Sequence, residues 1–150
     1  MIVIVTGTPG TGKTFFAKEL SRKFCFDYVY VKKLIKQKKL SSGFDKKRNC
    51  NIIDTKKLNS ALIGIINKAD KNKKNLVIDS HLSHYLPKKY VDVCFVTKCS
   101  LKELKRRLQK RKYSKEKIRE NLDAEIFDTC LIEAEEQGHD VRVINTTKRE

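Results

Sequence analysis

The segment that most constrains this chain is Gly-Thr-Pro-Gly-Thr-Gly-Lys-Thr at residues 7–14. It matches the phosphate-loop pattern G-x-x-x-x-G-K-[ST] at every fixed position. A run of β-branched residues precedes it (residues 2–6), and apolar positions at helical spacing follow it (residues 13–24). A glycine turn that binds nothing is the alternative, but the complete motif between a strand and a helix favours a loop that holds phosphate groups.

The residue types of this loop suit phosphate chemistry. Lys13 would neutralise charge on the β- and γ-phosphates, and the hydroxyl of Thr14 would ligate Mg²⁺. The N-terminus of the following helix adds positive potential. The other predicted ATP-binding positions contribute through the backbone, either by an N–H group that binds phosphate oxygens or by a glycine that lets the backbone turn its N–H groups inward. They are Gly7, Gly10, Thr11, Gly12 and Phe15.

The rest of the chain alternates between strand and helix patterns, which predicts a layered α/β fold with parallel strands. Residues 41–54 read as a loop, and Ser100 with Glu103 forms a capping box. Ser114 precedes one long helix that ends near Gly138. Further strands are expected at residues 28–31, 75–79, 90–97 and 141–144, and further helices at residues 33–40 and 55–68. Because only residues 145–150 follow the fifth strand, we expect either that a last helix is missing or that a partner covers that side.

Charged residues after the later strands are the second group of candidates. Asp79 ends an apolar strand that should lie beside the first one, where a carboxylate can hold Mg²⁺ through water. His81, two residues further, would position water or act as an acid or base. Arg107 and Arg111 are four residues apart and therefore share one side of a helix, from which guanidinium groups could stabilise a transferring phosphoryl group.

For three other charged or titratable residues, a structural or surface position is the preferred interpretation. Arg106 fits a solvated basic face, and His84 and His139 fit structural or surface positions.

The five cysteines contain no C-x-x-C pair, which argues against a zinc cluster and favours reduced thiols in a cytoplasmic protein. No apolar run approaches the ~18 residues of a membrane span, so we expect no membrane partner.

The formal net charge of +16 is unevenly distributed. Residues 32–48 carry eight basic residues and one acid, and residues 102–119 carry ten basic residues and two acids. Residues 120–140 contain eight acids and neither Lys nor Arg. Such basic segments attract polyanions such as nucleotides or RNA, although a lysine-rich solvated surface explains them equally well.

With these residues assembled, the sequence resembles the adenylate kinase isoenzyme 6 family of small nucleoside-monophosphate kinases and ATPases linked to ribosome assembly. The matching segments occur in order over nearly the whole chain: GTPGTGKT, SSGFDKKRNCNIID, IDSH, RLQKRKYSKEKIRENLDAEIFD and IEAEE. A shikimate- or cytidylate-type kinase shares the first segment but not the later ones.

The resemblance implies one P-loop NTPase domain over residues 1–150, a three-layer sandwich around a five-stranded parallel sheet in the order 2-3-1-4-5. It implies a monophosphate-binding segment around residues 31–54 and a short lid around residues 110–120. ATP and AMP would be the substrates, with Mg²⁺ dependence and an ATPase activity. A ribosomal protein of the small subunit and rRNA would be partners.

The resemblance also assigns residues. The aspartate and histidine after the third strand fall on Asp79 and His81, and the lid arginine that contacts ATP falls on Arg111, with Arg107 as the arginine before it. The monophosphate site would include Lys36, Asp45 and Arg48.

The sequence departs from the family in two places. Lys36 stands where relatives tend to have an arginine, and lysine supplies charge without a bidentate fork. We therefore expect AMP phosphorylation to be affected more than ATP hydrolysis, which leaves open an ATP-hydrolysing assembly factor with little AMP kinase activity. The chain also stops at the turn of residues 145–147, which in relatives lies near the adenine and continues into a helix.

Overall fold

The computed structural model describes residues 1–47 and 50–148, and within them a parallel sheet is flanked by helices on both faces. In chain order the elements are β1 (Ile2–Gly7), α1 (Lys13–Phe24), β2 (Asp27–Tyr30), α2 (Val31–Gln37), β3 (Ser41–Asp45), β4 (Cys50–Ile53), α3 (Thr55–Lys71), β5 (Leu76–Asp79), β6 (Val93–Lys98), α4 (Leu101–Lys110), α5 (Lys115–Ile126), α6 (Thr129–Glu136) and β7 (Val141–Asn145). Short 3₁₀ turns lie at Ser83–Tyr85 and Lys88–Tyr90.

The main sheet has the spatial order β2-β5-β1-β6-β7 with every pairing parallel. When its five strands are numbered along the chain, this is the predicted order 2-3-1-4-5, which is confirmed. The central strand β1 is buried along its whole length, as expected for a strand covered on both faces. Its register places Val5 opposite Asp79 of β5 and opposite Phe95 of β6, so the carboxyl ends of three strands meet at one edge.

The two faces of the sheet bury separate apolar clusters, which makes the predicted three-layer sandwich. On one face Phe16 and Ala17 of α1 pack on β1 and β5, with the rings of Phe16 and Phe95 edge to face at 5.2 Å. On the other face the buried side of α3, through Leu58, Leu62 and Ile66, packs with α6. Asp54 caps α3 by accepting hydrogen bonds from the N–H groups of Lys56 and Lys57, at 3.0 and 3.3 Å.

The prediction of a loop over residues 41–54 is wrong, because β3 and β4 form an antiparallel hairpin there, separate from the main sheet. Side chains of β3 are mostly exposed, Phe44 among them. Because the exposed side chains of β3 show no alternation of apolar and polar residues in the sequence, periodicity could not reveal this strand.

The prediction of one long helix from Ser114 to about residue 137 is also wrong, because the segment forms two helices, α5 and α6. The break lies at Asp128, whose φ of 53° is left-handed, a conformation that aspartate tolerates better than most residues. Its carboxylate pairs with the ammonium group of Lys98 at the end of β6. A tertiary ion pair therefore holds the break, and no local sequence signal marks it.

Half of the predicted capping box at α4 is present. The Ser100 hydroxyl accepts the N–H of Glu103 at 3.3 Å, whereas the N–H of Ser100 donates to the hydroxyl of Thr147 at 3.0 Å. The Glu103 carboxylate instead binds Arg106 at 2.6 Å and Arg107 at 3.1 Å. Competition from these two guanidinium groups explains why the reciprocal bond is lost.

Candidate active site

The phosphate loop, Gly7 to Thr14, leaves the carboxyl end of β1 and enters α1, as the motif predicts. Its Gly7, Gly10 and Gly12 have φ of 145°, 91° and 85°, which L side chains rarely adopt. Close packing adds a second constraint: a Cβ on Gly7 would stand 2.5 Å from the Thr97 hydroxyl, and one on Gly10 would stand 2.9 Å from Leu108 of α4. The glycines therefore let the loop turn and let β6 and α4 support it.

Lys13 folds back across this loop. Its ammonium group donates to the carbonyl oxygens of Gly7, at 3.0 Å, and Thr8, at 3.2 Å. Desolvation lowers the pKa of Lys13 to about 8 although the Asp79 carboxylate opposes the shift, and the positive charge of Arg111 adds to the lowering. The lysine is thus a poorly solvated cation that an anionic ligand in the loop would stabilise.

This lowered pKa leads to a testable pH dependence. Only the ammonium form of Lys13 attracts phosphate groups, so affinity for ATP should be highest below pH 8. It should fall as pH rises through the pKa that Lys13 has in the ATP-free protein, by up to about tenfold per pH unit. Calorimetric titrations with ATP at pH 7 and pH 9.5 measure this. Equal affinities at the two pH values would contradict the assigned role of the ammonium group.

Asp79 lies beside the start of α1, as predicted. The hydroxyl of Thr14 donates to its Oδ2 at 2.8 Å, so the two predicted metal ligands are in contact. Hydroxyl and carboxylate oxygens are ligands that Mg²⁺ accepts, and that ion usually takes one or two protein ligands together with substrate phosphates and waters. The donor set therefore fits the expected cation. Within the described residues, no group of three or more His, Cys, Asp and Glu side chains could hold a metal ion.

Tyr28 of β2 is a residue of this site that sequence reasoning missed. Its hydroxyl donates to the same Oδ2 of Asp79 at 2.7 Å. Desolvation and this hydrogen bond raise the pKa of the Tyr28 phenol, so it remains a donor at neutral pH. The alternation of side chains along β2 assigns each residue to one face of the sheet. It does not reveal that β5, which carries Asp79, is the neighbouring strand.

His81 stands at an exposed position just beyond β5. Partial desolvation by neighbouring groups and the charge of the nearby Lys13 ammonium lower its pKa. The imidazole is therefore neutral at physiological pH, as a residue that accepts a proton must be.

The two predicted arginines have different surroundings. Arg107 is buried, and its guanidinium donates to the carbonyl oxygens of Gly10 at 3.3 Å and Thr146 at 2.6 Å. It thereby ties the phosphate loop to the chain after β7. Arg111 is exposed at the end of α4, close enough for its charge to act on Lys13. Arg106 is an exposed partner of Glu103, in keeping with its expected solvated position.

Glu125 is a second residue that the sequence did not single out. It is buried, and its carboxylate accepts the Thr8 hydroxyl at 3.2 Å, the Lys98 ammonium at 3.2 Å and the N–H of Cys99 at 3.1 Å. It supports the phosphate loop from α5 at Thr8, whereas Arg107 supports it at Gly10. In the sequence it is one of eight acids between residues 120 and 140, and nothing local distinguishes it.

The predicted monophosphate-site residues lie on the segment between β2 and α3. Lys36 is exposed on α2, and Asp45 at the end of β3 accepts the N–H of Lys47 at 3.0 Å. Arg48 lies outside the described residues. The role of this segment in binding the phosphate acceptor stays a prediction.

The remaining histidines and cysteines have structural surroundings. His84 is buried between the Thr6 hydroxyl and the Glu133 carboxylate, each at 2.7 Å, and His139 contacts the carbonyl oxygen of His84 at 2.9 Å. Four cysteines have free thiols: Cys25, Cys94, Cys99 and Cys130. The side chain of Cys50 lies outside the described part of the chain.

Among the described helices, none has the length and apolar character needed to cross a membrane.

Comparison with known proteins adds three findings. A family model described as an AAA domain matches residues 3–128. The chain is 40% identical over 151 residues to the "Putative adenylate kinase" of Methanosarcina acetivorans, covering 99% of this chain and 79% of that protein. It is 37% identical over 134 residues to the adenylate kinase isoenzyme 6 homolog of Caenorhabditis elegans, covering 89% of this chain and 72% of that protein.

Solved structures share the fold at low sequence identity. The shikimate kinase of Bacteroides thetaiotaomicron superposes with a TM-score of 0.52 at 12% identity, covering 97% of this chain and 86% of that one. At this identity the likeness concerns the fold alone.

Proposed function

Because the chain belongs to the adenylate kinase isoenzyme 6 family and is a phosphotransferase of the nucleoside-monophosphate kinase type, we propose that it catalyses ATP + AMP ⇌ 2 ADP and also hydrolyses ATP. The observation that carries the proposal is the contact of Thr14 with Asp79 beside a desolvated Lys13. Together these groups provide one cationic and one cation-binding position at the mouth of a phosphate loop.

The chemistry asked of the protein is positioning and charge stabilisation, and no covalent intermediate is needed. Backbone N–H groups of the loop and the Lys13 ammonium would hold the β- and γ-phosphates. Thr14 and Asp79 would hold Mg²⁺, the latter through water, and the ion would neutralise charge on the phosphate oxygens. Arg111, exposed near the lid, would contact the nucleotide.

Two predicted catalytic residues receive more specific roles. Arg107 is engaged with backbone carbonyl groups of the loop and the end of the chain, so we assign it to holding the loop in place. His81 is neutral and two residues beyond Asp79, which suits a residue that orients the attacking water during ATP hydrolysis.

Initial rates of ADP formation from ATP, with and without each nucleoside monophosphate, test the proposal. Added AMP should accelerate ADP formation above the rate of ATP hydrolysis alone, because it supplies the acceptor. If no monophosphate raises the rate, phosphoryl transfer to a nucleotide is excluded and only hydrolysis remains.

A second candidate function is that of an ATP-hydrolysing assembly factor that contacts rRNA or a small-subunit ribosomal protein. The observation in its favour is a set of exposed cations on α4, on α5 and in the turn between them, the stretch that also contains Arg111: Lys102, Lys105, Lys110, Lys112, Lys115 and Arg119. Binding of a small-subunit rRNA fragment should then weaken steeply between 50 and 200 mM salt, since phosphate contacts release counterions. A flat salt response would argue against it.

A further inference from the structure

The carboxylate of Asp79 accepts two hydrogen bonds on a single oxygen. Thr14 donates to Oδ2 from the start of α1 at 2.8 Å, and Tyr28 donates to Oδ2 from β2 at 2.7 Å. Within residues 1–47 and 50–148 these are the hydrogen bonds that the carboxylate accepts, which leaves Oδ1 as the oxygen available to a hydrated cation.

The fold fixes the Tyr28 donor in place. Tyr28 pairs in register with Val77, so Asp79, two residues further along β5, is its diagonal neighbour on the same face of the sheet. Its ring stacks on that of Tyr30 with a centroid separation of 6.1 Å, and the Lys18 ammonium lies 6.0 Å from its centre. The phenol therefore reaches the carboxylate from a strand, which is a more rigid support than a loop.

We propose that Tyr28 is a positioning residue for the cation that accompanies the nucleotide: it holds Asp79 by Oδ2 and so presents Oδ1 to the metal's water shell. The proposal rests on the proposed function, since it assumes a nucleotide with Mg²⁺ in the phosphate loop. A carboxylate otherwise rotates easily about its last torsion. The Thr14 oxygen would also serve the cation, so Tyr28 is the donor whose only task at this site is to hold the carboxylate.

A merely structural role for Tyr28 has different consequences. Loss of packing would weaken ATP binding whether or not Mg²⁺ is present. Loss of a positioning hydrogen bond would weaken the binding of Mg²⁺ to the protein–ATP complex and leave the binding of metal-free ATP unchanged. Partners that orient metal ligands typically contribute 10- to 100-fold to metal affinity.

The experiment compares Tyr28→Phe with Tyr30→Phe, a matched control that removes the hydroxyl of the ring stacked on Tyr28. Calorimetry first measures ATP binding in the presence of a chelator, and then Mg²⁺ is titrated into each ATP-loaded protein. We expect about a tenfold weaker Mg²⁺ affinity for Tyr28→Phe, the wild-type value for Tyr30→Phe, and equal affinities of all three proteins for metal-free ATP.

Each other result is decisive. Wild-type Mg²⁺ affinity in Tyr28→Phe would overturn the proposal, as would a Tyr28→Phe protein that binds neither form of ATP, because Tyr28 would then support the fold and not the cation site. Failure of the wild-type protein to bind ATP at all would instead refute the proposed function, so the two failures are distinguishable.

Discussion

A Lys13→Ala protein should fold normally and form ADP at least about 100- to 1,000-fold more slowly than the wild type. Within the described part of the chain, the Lys13 ammonium donates hydrogen bonds to the carbonyl oxygens of Gly7 and Thr8, and desolvation lowers its pKa to about 8. Stability therefore loses little when this group is removed. Catalysis loses a preorganised cation at the transferring phosphoryl group, a contribution of this order in other enzymes.

The control for this variant is Lys23→Ala, which removes an exposed lysine from the last turn of the same helix. Initial rates and thermal unfolding are measured for both proteins. Undiminished ADP formation from ATP and AMP by Lys13→Ala would contradict the assignment of the phosphate loop as the catalytic centre.

The second large effect concerns stability. Glu125→Ala should lower the free energy of unfolding by about 3 kcal/mol, because it leaves the Lys98 ammonium with one carboxylate fewer and the buried donors of Thr8 and Cys99 without their acceptor. Since Thr8 belongs to the phosphate loop, affinity for ATP should fall as well. Denaturant unfolding and calorimetry measure the two effects.

Two further variants sharpen this test. Glu125→Gln keeps an acceptor for Thr8 and Cys99 and should cost about 1 kcal/mol, in the range of a single hydrogen bond. Asp123→Ala removes an exposed carboxylate from the same helix and should be nearly neutral. A Glu125→Ala protein as stable as Asp123→Ala would show that the buried carboxylate does not hold the loop.

Sequence reasoning found the parts of the site that local patterns encode. The contiguous motif marks Lys13 and Thr14, and Asp79 is recognisable because it ends an apolar strand that the fold class places beside the first one. The contact between Thr14 and Asp79 follows from the order of the strands, so the fold prediction and the site prediction are one inference.

The parts it missed depend on tertiary neighbours. Tyr28 is 51 residues from Asp79 in the chain, and Glu125 is 117 residues from Thr8, so no spacing rule connects them. Helical spacing predicts that Arg107 and Arg111 share one side of a helix, but it does not say what Arg107 contacts. The structure shows that it faces carbonyl groups of Gly10 and Thr146.

The central claim is that the loop of residues 7–14 holds the triphosphate of ATP beside a divalent cation. Titration calorimetry of the wild-type and Lys13→Ala proteins with ATP and Mg²⁺ at pH 7, supported by competition against a fluorescent ATP analogue, tests it most directly. The account predicts saturable binding at one site in the wild type and a loss of at least about tenfold in affinity in the variant. Absence of saturation in the wild type, or equal affinity of the two proteins, would contradict it.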